Sequence, residues 1–227
     1  MENRTLNTLV LLGLPLVLRN LSPKKRVNTT LGAVGVLGAL DLNAIRDQVF
    51  SHLNNAPVSL ALGKNGLVYE SVEVGNIDER VNLIKEIIFE SVSDPEIQKR
   101  AKSLSGGTDS QEVQSVFRFV KQNVRFEEEE PYEIFKDANT TLNVHGYGDC
   151  DDICILAAAL LINQKFSVIL TVVGTEDDTD FSHIYLKVGL PKRGPKKWVS
   201  FDASVDRSLG WDISQEKKVT MTKDFRL

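Results

Sequence analysis

The chain has 227 residues, of which 42% are hydrophobic and 26% charged, the composition of a globular protein. This length suits one large domain, or one domain of about 170 residues with an N-terminal extension. The formal net charge is −4 and the basic residues form no stripe interleaved with aromatic residues, so nucleic acid is excluded as an expected partner.

Residues 1–40 are predicted to form an apolar N-terminal arm. Its two apolar runs, residues 9–18 and 31–40, are each roughly half the length that spans a bilayer. We expect the arm to pack on the domain or on a neighbouring subunit. Two alternatives stay open: a pair of short membrane-inserting helices, with three glycines on the second, and a weak signal or anchor. The nearly neutral start of the chain makes an unconvincing signal peptide.

The chain has only two cysteines, Cys150 and Cys154, four positions apart. A pair so close on one predicted helix cannot supply a disulfide framework. Reduced thiols favour a cytoplasmic or assembly-associated protein, for example a component of a virion.

Residues 41–75 are predicted to be an extension made of a helix and a β-hairpin. Apolar residues recur at helical spacing over residues 41–53. Residues 58–62 and 67–74 alternate around a Gly-Lys-Asn-Gly turn, as in a hairpin. The histidine of the helix, His52, is expected to be structural rather than a ligand.

Three further helices are predicted before the first cysteine, at residues 77–92, 95–104 and 112–124. The third is expected to be capped by Asp109 or Ser110. Residues 131–142 are predicted to be a loop with weak helical potential.

The segment GYGDCDDICILAAALL places Cys150 at the start of an apolar helix. Asp149 or Gly148 could cap this helix, and Asp151 and Asp152 fall in its first turn, where carboxylates suit the helix dipole. Backbone N–H groups at a helix start lower the pKa of a thiol, whereas nearby negative charge raises it. We expect the helix to be buried along one broad face, with Cys154 in the core.

Three strands are predicted after the helix, at residues 166–173, 182–188 and 198–201. His183 lies near the start of the second strand and Asp202 at the end of the third. If these strands are antiparallel neighbours, the start of one lies beside the end of the other. Cys150, His183 and Asp202 then form a candidate catalytic triad of nucleophile, base and orienting carboxylate. Helices followed by antiparallel strands make an α+β fold.

The order of the motifs GDCDDICILAAALL, SHIYLKV and WVSFDAS resembles the transglutaminase-like superfamily of papain-like cysteine enzymes. The resemblance implies a papain-like α+β domain in which the cysteine helix packs on an antiparallel sheet, with a helical N-terminal part. It also implies acyl transfer at an amide through Cys150, His183 and Asp202. On this basis residues 1–40 are the arm, 41–75 the extension and 76–227 the transglutaminase-like domain.

The oxyanion donor has three candidates: the backbone N–H of Cys150 and the side chains of Tyr147 and Asn143. The clustered carboxylates of Asp149, Asp151 and Asp152 are candidates for binding a basic group of a substrate.

Two functions from different classes follow. The first is a cysteine hydrolase or acyltransferase acting on a peptide or protein amide, with no cofactor and no metal. The second is a non-catalytic assembly module that docks on neighbouring subunits or a membrane through residues 1–40. A zinc site built from the two cysteines and a histidine is disfavoured because no second Cys/His pair stands at the required spacing. His145 is expected to be a loop residue.

Overall fold

The structure is a computed structural model that describes residues 7–11, 14–18, 27–30, 58–62, 67–72, 77–128 and 133–227. The predicted helix at residues 41–53, with His52, and the second apolar run at residues 31–40 lie outside the described residues. By its internal contacts the chain divides into two units. The first comprises Met1–Asn76 and Glu129–Phe135, and the second Ile77–Glu128 and Lys136–Leu227.

The described part of the first unit is made of β-strands: β1 Asn7–Leu11, β2 Leu14–Leu18, β3 Val27–Thr30, β4 Val58–Leu62 and β5 Leu67–Val72. Strands β1 and β2 pair antiparallel, so for the first apolar run the alternative of a short membrane helix is wrong. Strands β4 and β5 also pair antiparallel, as the predicted hairpin requires. Among the described residues, every helix is too short or too polar to span a bilayer.

The second unit begins with three helices close to their predicted bounds: α1 Ile77–Val92, α2 Pro95–Ser103 and α3 Asp109–Asn123. The cap of α3 is Thr108 rather than the predicted Asp109 or Ser110. The Thr108 side chain accepts the N–H of Gln111, and the Gln111 side chain accepts the N–H of Thr108. This reciprocal capping box satisfies two donors at once, which a single carboxylate or hydroxyl one position later would not do.

The predicted loop before the cysteine is largely ordered into short elements. Strand β6 (Arg125–Phe126) pairs in parallel with β8 (Tyr147–Gly148), and β7 spans Glu133–Lys136. A π-helix runs over Thr140–His145 and ends at Gly146, whose φ of +67° suits a residue without a Cβ.

The cysteine helix α4 spans Cys150–Asn163 and lies at the centre of the second unit. It contacts all three preceding helices and, of the strands that follow, β9 (Val168–Thr175) and β10 (His183–Leu190). Every residue from 151 to 161 is buried, so the expectation of one buried face understates its burial. An apolar sequence of this kind is buried on all sides because no polar stripe remains to face water.

The sheet of the second unit has four strands: β9 Val168–Thr175, β10 His183–Leu190, β11 Lys197–Phe201 and β12 Val219–Arg226. Each is antiparallel to its neighbours, in the order β11-β10-β9-β12. The first three follow the prediction within two residues, whereas β12 was not predicted. Helix α4 contacts β9 and β10, so the chain has the α+β architecture of a cysteine helix on an antiparallel sheet.

Candidate active site

Asp149 caps α4 and makes Cys150 its first residue. The Oδ1 atom of Asp149 accepts the N–H of Asp151 at 3.1 Å and the N–H of Asp152 at 3.3 Å. Two of the N–H groups that a helix start leaves without an intrahelical acceptor are thus satisfied. Asp149 is one of the three carboxylates predicted to bind a substrate, and in the structure it is the cap of α4.

Gly148 is required by the close approach of Asp152. A Cβ built on Gly148 would lie 2.6 Å from the Cβ of Asp152 and 2.7 Å from its Oδ2. Both distances are shorter than van der Waals contact, so a larger residue would push the loop away from the helix. This contact gives a physical reason for the glycine two positions before the cysteine.

Asp152 forms a buried ion pair with Lys136. The Nζ of Lys136 lies 2.5 Å from Asp152 Oδ2, and both side chains are 0% exposed. The backbone N–H of Lys136 also donates to Asp152 Oδ1 at 2.7 Å. The prediction that Asp152 binds a substrate is corrected: its carboxylate is enclosed and ion-paired.

The peptide groups of Ile184 lie against both thiols. The pairing between β10 and β11 ends at Leu186 and Phe201, so the edge of β10 is open at Ile184. The N–H of Ile184 faces the sulfur of Cys150 and acts to lower its pKa, and the Ile184 carbonyl accepts from the Cys154 thiol at 3.5 Å. Cys154 is buried in the core, as expected. Cys150 is partly exposed, and its sulfur is held beside the backbone of the residue that follows His183.

His183 and Asp202 are hydrogen-bonded across β10 and β11. The Nε2 of His183 lies 2.7 Å from Asp202 Oδ2, and the side chains are 15% and 4% exposed. The other oxygen of Asp202 accepts the N–H of Ser204 at 3.2 Å and its hydroxyl at 2.6 Å. The carboxylate is thus fixed on one side by a turn and directs its free oxygen at the imidazole. Since Nε2 is taken, Nδ1 is the ring nitrogen left to exchange a proton with a thiol.

The pKa of Cys150 is raised well above its ordinary value, chiefly by burial and then by the carboxylates of Asp151 and Asp149. Of the two opposing effects on this pKa named in the sequence analysis, the one that raises it prevails, and burial adds to it, because burial disfavours the charged thiolate more than the N–H groups of the helix start favour it. Asp151 is itself buried, and its pKa is raised by desolvation. It accepts a long hydrogen bond from Cys150 Sγ at 3.9 Å and is attracted electrostatically to Arg80 and His183.

The remaining candidates lie on the segment before the helix. The amide of Asn143 donates to the side chain of Asn139 and is exposed. The ring of Tyr147 lies 5.3 Å from that of His145, and the Nζ of Lys136 lies 5.6 Å from its centroid. Burial and the charge of Lys136 lower the pKa of His145. His145 belongs to the π-helix rather than to a loop.

Three residues that contact the site were not identified from the sequence: Lys136, Ile184 and Ser204. The Ser204 contact had a signal, since a Ser two residues after an Asp commonly donates to it in a turn. Lys136 had none, because a lysine is rarely buried. Ile184 acts through its backbone, which the sequence pattern does not distinguish from that of any other strand residue.

No protein-family model and no curated protein matches this sequence. Among solved structures, the chain is similar to a "putative protease" from Parabacteroides distasonis, with 18% identity over 61% of this chain and 31% of the other, at a TM-score of 0.42. It is similar to a "putative cysteine protease" from Cytophaga hutchinsonii, with 16% identity over 69% of this chain and 56% of the other, at a TM-score of 0.45. It is also similar to a TGase, with 15% identity over 84% of this chain and 55% of the other, at a TM-score of 0.35.

The chain spans less than two thirds of each of these proteins. At these identities and TM-scores, the inference about function comes from the side chains of this chain.

Proposed function

We propose that this protein is a cysteine hydrolase or acyltransferase that acts on a peptide or protein amide. Cys150 is the nucleophile, His183 the general base and acid, and Asp202 the carboxylate that orients the imidazole. The observation that carries this proposal is the arrangement at the open edge of β10. There the Ile184 N–H faces the sulfur of Cys150, and the neighbouring His183 is bonded through Nε2 to Asp202 at 2.7 Å.

Because its pKa is raised, Cys150 rests as a neutral thiol. The reaction therefore begins with proton transfer from Sγ to His183 Nδ1 as the sulfur attacks the carbonyl carbon. Asp202 keeps the Nε2 proton on the imidazole, leaving Nδ1 as the acceptor, and stabilises the imidazolium that forms. The resting thiol is thus activated by a general base rather than by a standing negative charge.

The tetrahedral intermediate then collapses with loss of the amine. His183 returns its proton to the leaving nitrogen as the C–N bond breaks, and the acyl group remains on sulfur as a thioester. Water or a second amine attacks the thioester and restores the thiol. The Cys150 N–H, in the first turn of α4, is the donor best suited to the developing oxyanion. Asp151 lies beside the sulfur but is itself buried, so its binding of a basic substrate stays a prediction.

The proposal is tested first by the alkylation kinetics of the two cysteines. The intact chain is treated with iodoacetamide across a range of pH, and each cysteine is followed by peptide mass spectrometry. We expect Cys150 to react much faster than the buried Cys154, and His183→Gln to slow Cys150 alone. A fluorogenic peptide library then serves as the assay of hydrolysis, with Cys150→Ser as the inactive control.

Two outcomes would overturn the proposal. One is equal, slow alkylation of the two cysteines that His183→Gln leaves unchanged. The other is peptide hydrolysis that persists in Cys150→Ser. The first outcome favours a non-catalytic assembly module that docks through residues 1–40.

A further inference from the structure

The ion pair between Lys136 and Asp152 is unusual in being wholly enclosed. Both side chains are 0% exposed, and one carboxylate receives both the ammonium and the backbone N–H of the same lysine. A buried ion pair loses the hydration of two charges, and an apolar pair of similar volume is often equally stable. The stability of the fold alone therefore does not explain why Lys136 and Asp152 are charged.

The position of Asp152 links the pair to the nucleophile. Asp152 lies two residues after Cys150 and its N–H binds the cap Asp149, while its side chain abuts Gly148 two residues before Cys150. A shift of the Asp152 carboxylate therefore moves the chain on both sides of the sulfur. The ammonium and the backbone N–H of Lys136 both bind this carboxylate, and the ammonium supplies the opposite charge.

We propose that Lys136 is a positioning residue for the nucleophile. Acting through Asp152, it fixes the start of α4 so that the sulfur of Cys150 stays against the Ile184 N–H and beside His183. This inference rests on the function proposed above. It concerns the geometry of the thiol, since the ammonium is enclosed and is not offered to a substrate.

The test separates the effect of the Lys136–Asp152 ion pair on the Cys150 thiol from its effect on the stability of the fold. Lys136→Met removes the ammonium from a buried carboxylate, and the variant is expected to unfold more easily. The double variant Lys136→Met/Asp152→Asn removes both charges, and the asparagine oxygen can still accept the backbone N–H of residue 136. Its thermal stability is therefore expected to recover toward that of the wild type. The readouts are the melting temperature and the rate of Cys150 alkylation, each measured with and without His183→Gln.

If Lys136 positions the thiol, the double variant is folded but its Cys150 reacts at least about tenfold more slowly near neutral pH. The effect of His183→Gln on that rate also shrinks, because the imidazole no longer meets the sulfur. Lys192→Met is the matched control: it breaks the ion pair of Lys192 with Glu112 beyond the opposite end of β10 and should leave Cys150 kinetics unchanged.

A double variant with wild-type alkylation and undiminished dependence on His183 would overturn the inference. If the double variant does not fold, Lys136→Gln, which keeps a donor for Asp152 without the charge, is measured against the same two outcomes. The proposed function fails separately, when His183→Gln has no effect in the otherwise wild-type chain.

Discussion

The charge of Asp151 should hold Cys150 in its neutral form, and Asp151→Asn tests this directly. The carboxylate oxygen lies 3.9 Å from the sulfur. Two unit charges at this distance repel by about 1 kcal/mol in bulk water and by about 4 kcal/mol at an effective dielectric constant of about 20. The substitution keeps the shape and removes the charge, so the thiolate fraction at a given pH should rise at least about fivefold. Burial, the larger cause of the raised pKa, is unchanged in the variant.

The assay is alkylation of Cys150 by iodoacetamide, followed by mass spectrometry over a pH series. The whole profile of the variant should shift to lower pH. Asp206→Asn is the control, because Asp206 is fully exposed and pairs with Lys121.

An unchanged or slower rate in a variant with the wild-type circular dichroism spectrum would refute this reasoning. It would mean that Asp151 is uncharged over the working range, or that its attraction to His183 outweighs its repulsion of the thiolate. A direct carboxyl titration of Asp151 by NMR separates these two explanations.

Three further predictions concern the surroundings of the site. Asp202→Asn should lower the turnover of any substrate by about 10²–10⁴-fold, because the amide can donate to Nε2 and place the proton on Nδ1; normal turnover would remove Asp202 from the mechanism. Gly148→Ala should destabilise the fold by about 1–3 kcal/mol through its clash with Asp152, seen as a lower midpoint in urea; an unchanged midpoint would contradict the contact. The carboxyl of Asp178 should titrate by NMR with a pKa of about 2, because the Ser182 hydroxyl and the N–H and hydroxyl of Thr175 donate to its charged form. Its contribution to stability is present above the unfolded value of 3.8 and is lost as pH falls through about 2.

The pairing of His183 with Asp202 could be anticipated because alternating residues define both strands. Antiparallel neighbours place the start of one strand beside the end of the next. Strand β12 could not be anticipated in the same way, since its sequence VTMTKDFR is largely polar and it is placed by pairing with β9. The start of α4 was visible in the sequence, but the degree of burial around Cys150 was not, because it depends on elements far apart along the chain.

The burial of Lys136 and its pairing with Asp152 could not be predicted from the sequence. Its neighbours give no periodic pattern, and a charged residue is ordinarily expected at the surface. Asp152 could be assigned to the first turn of a helix, yet its true partner lies 16 residues earlier. Each charge can be buried because the other neutralises it, and neither residue by itself indicates from the sequence that the other is buried.

The turn in which Asp202 binds Ser204 has a consequence beyond fixing the carboxylate. It halts β11 at Phe201, one rung short of where Ala203 would face Ile184 in register. If β11 continued to Ala203, its backbone would hydrogen-bond the Ile184 N–H that now faces the sulfur of Cys150. The open edge at Ile184 is thus an end of the sheet where β10 has no partner strand on the β11 side, and lengthening β11 by a few residues would close it without altering Cys150, His183 or Asp202.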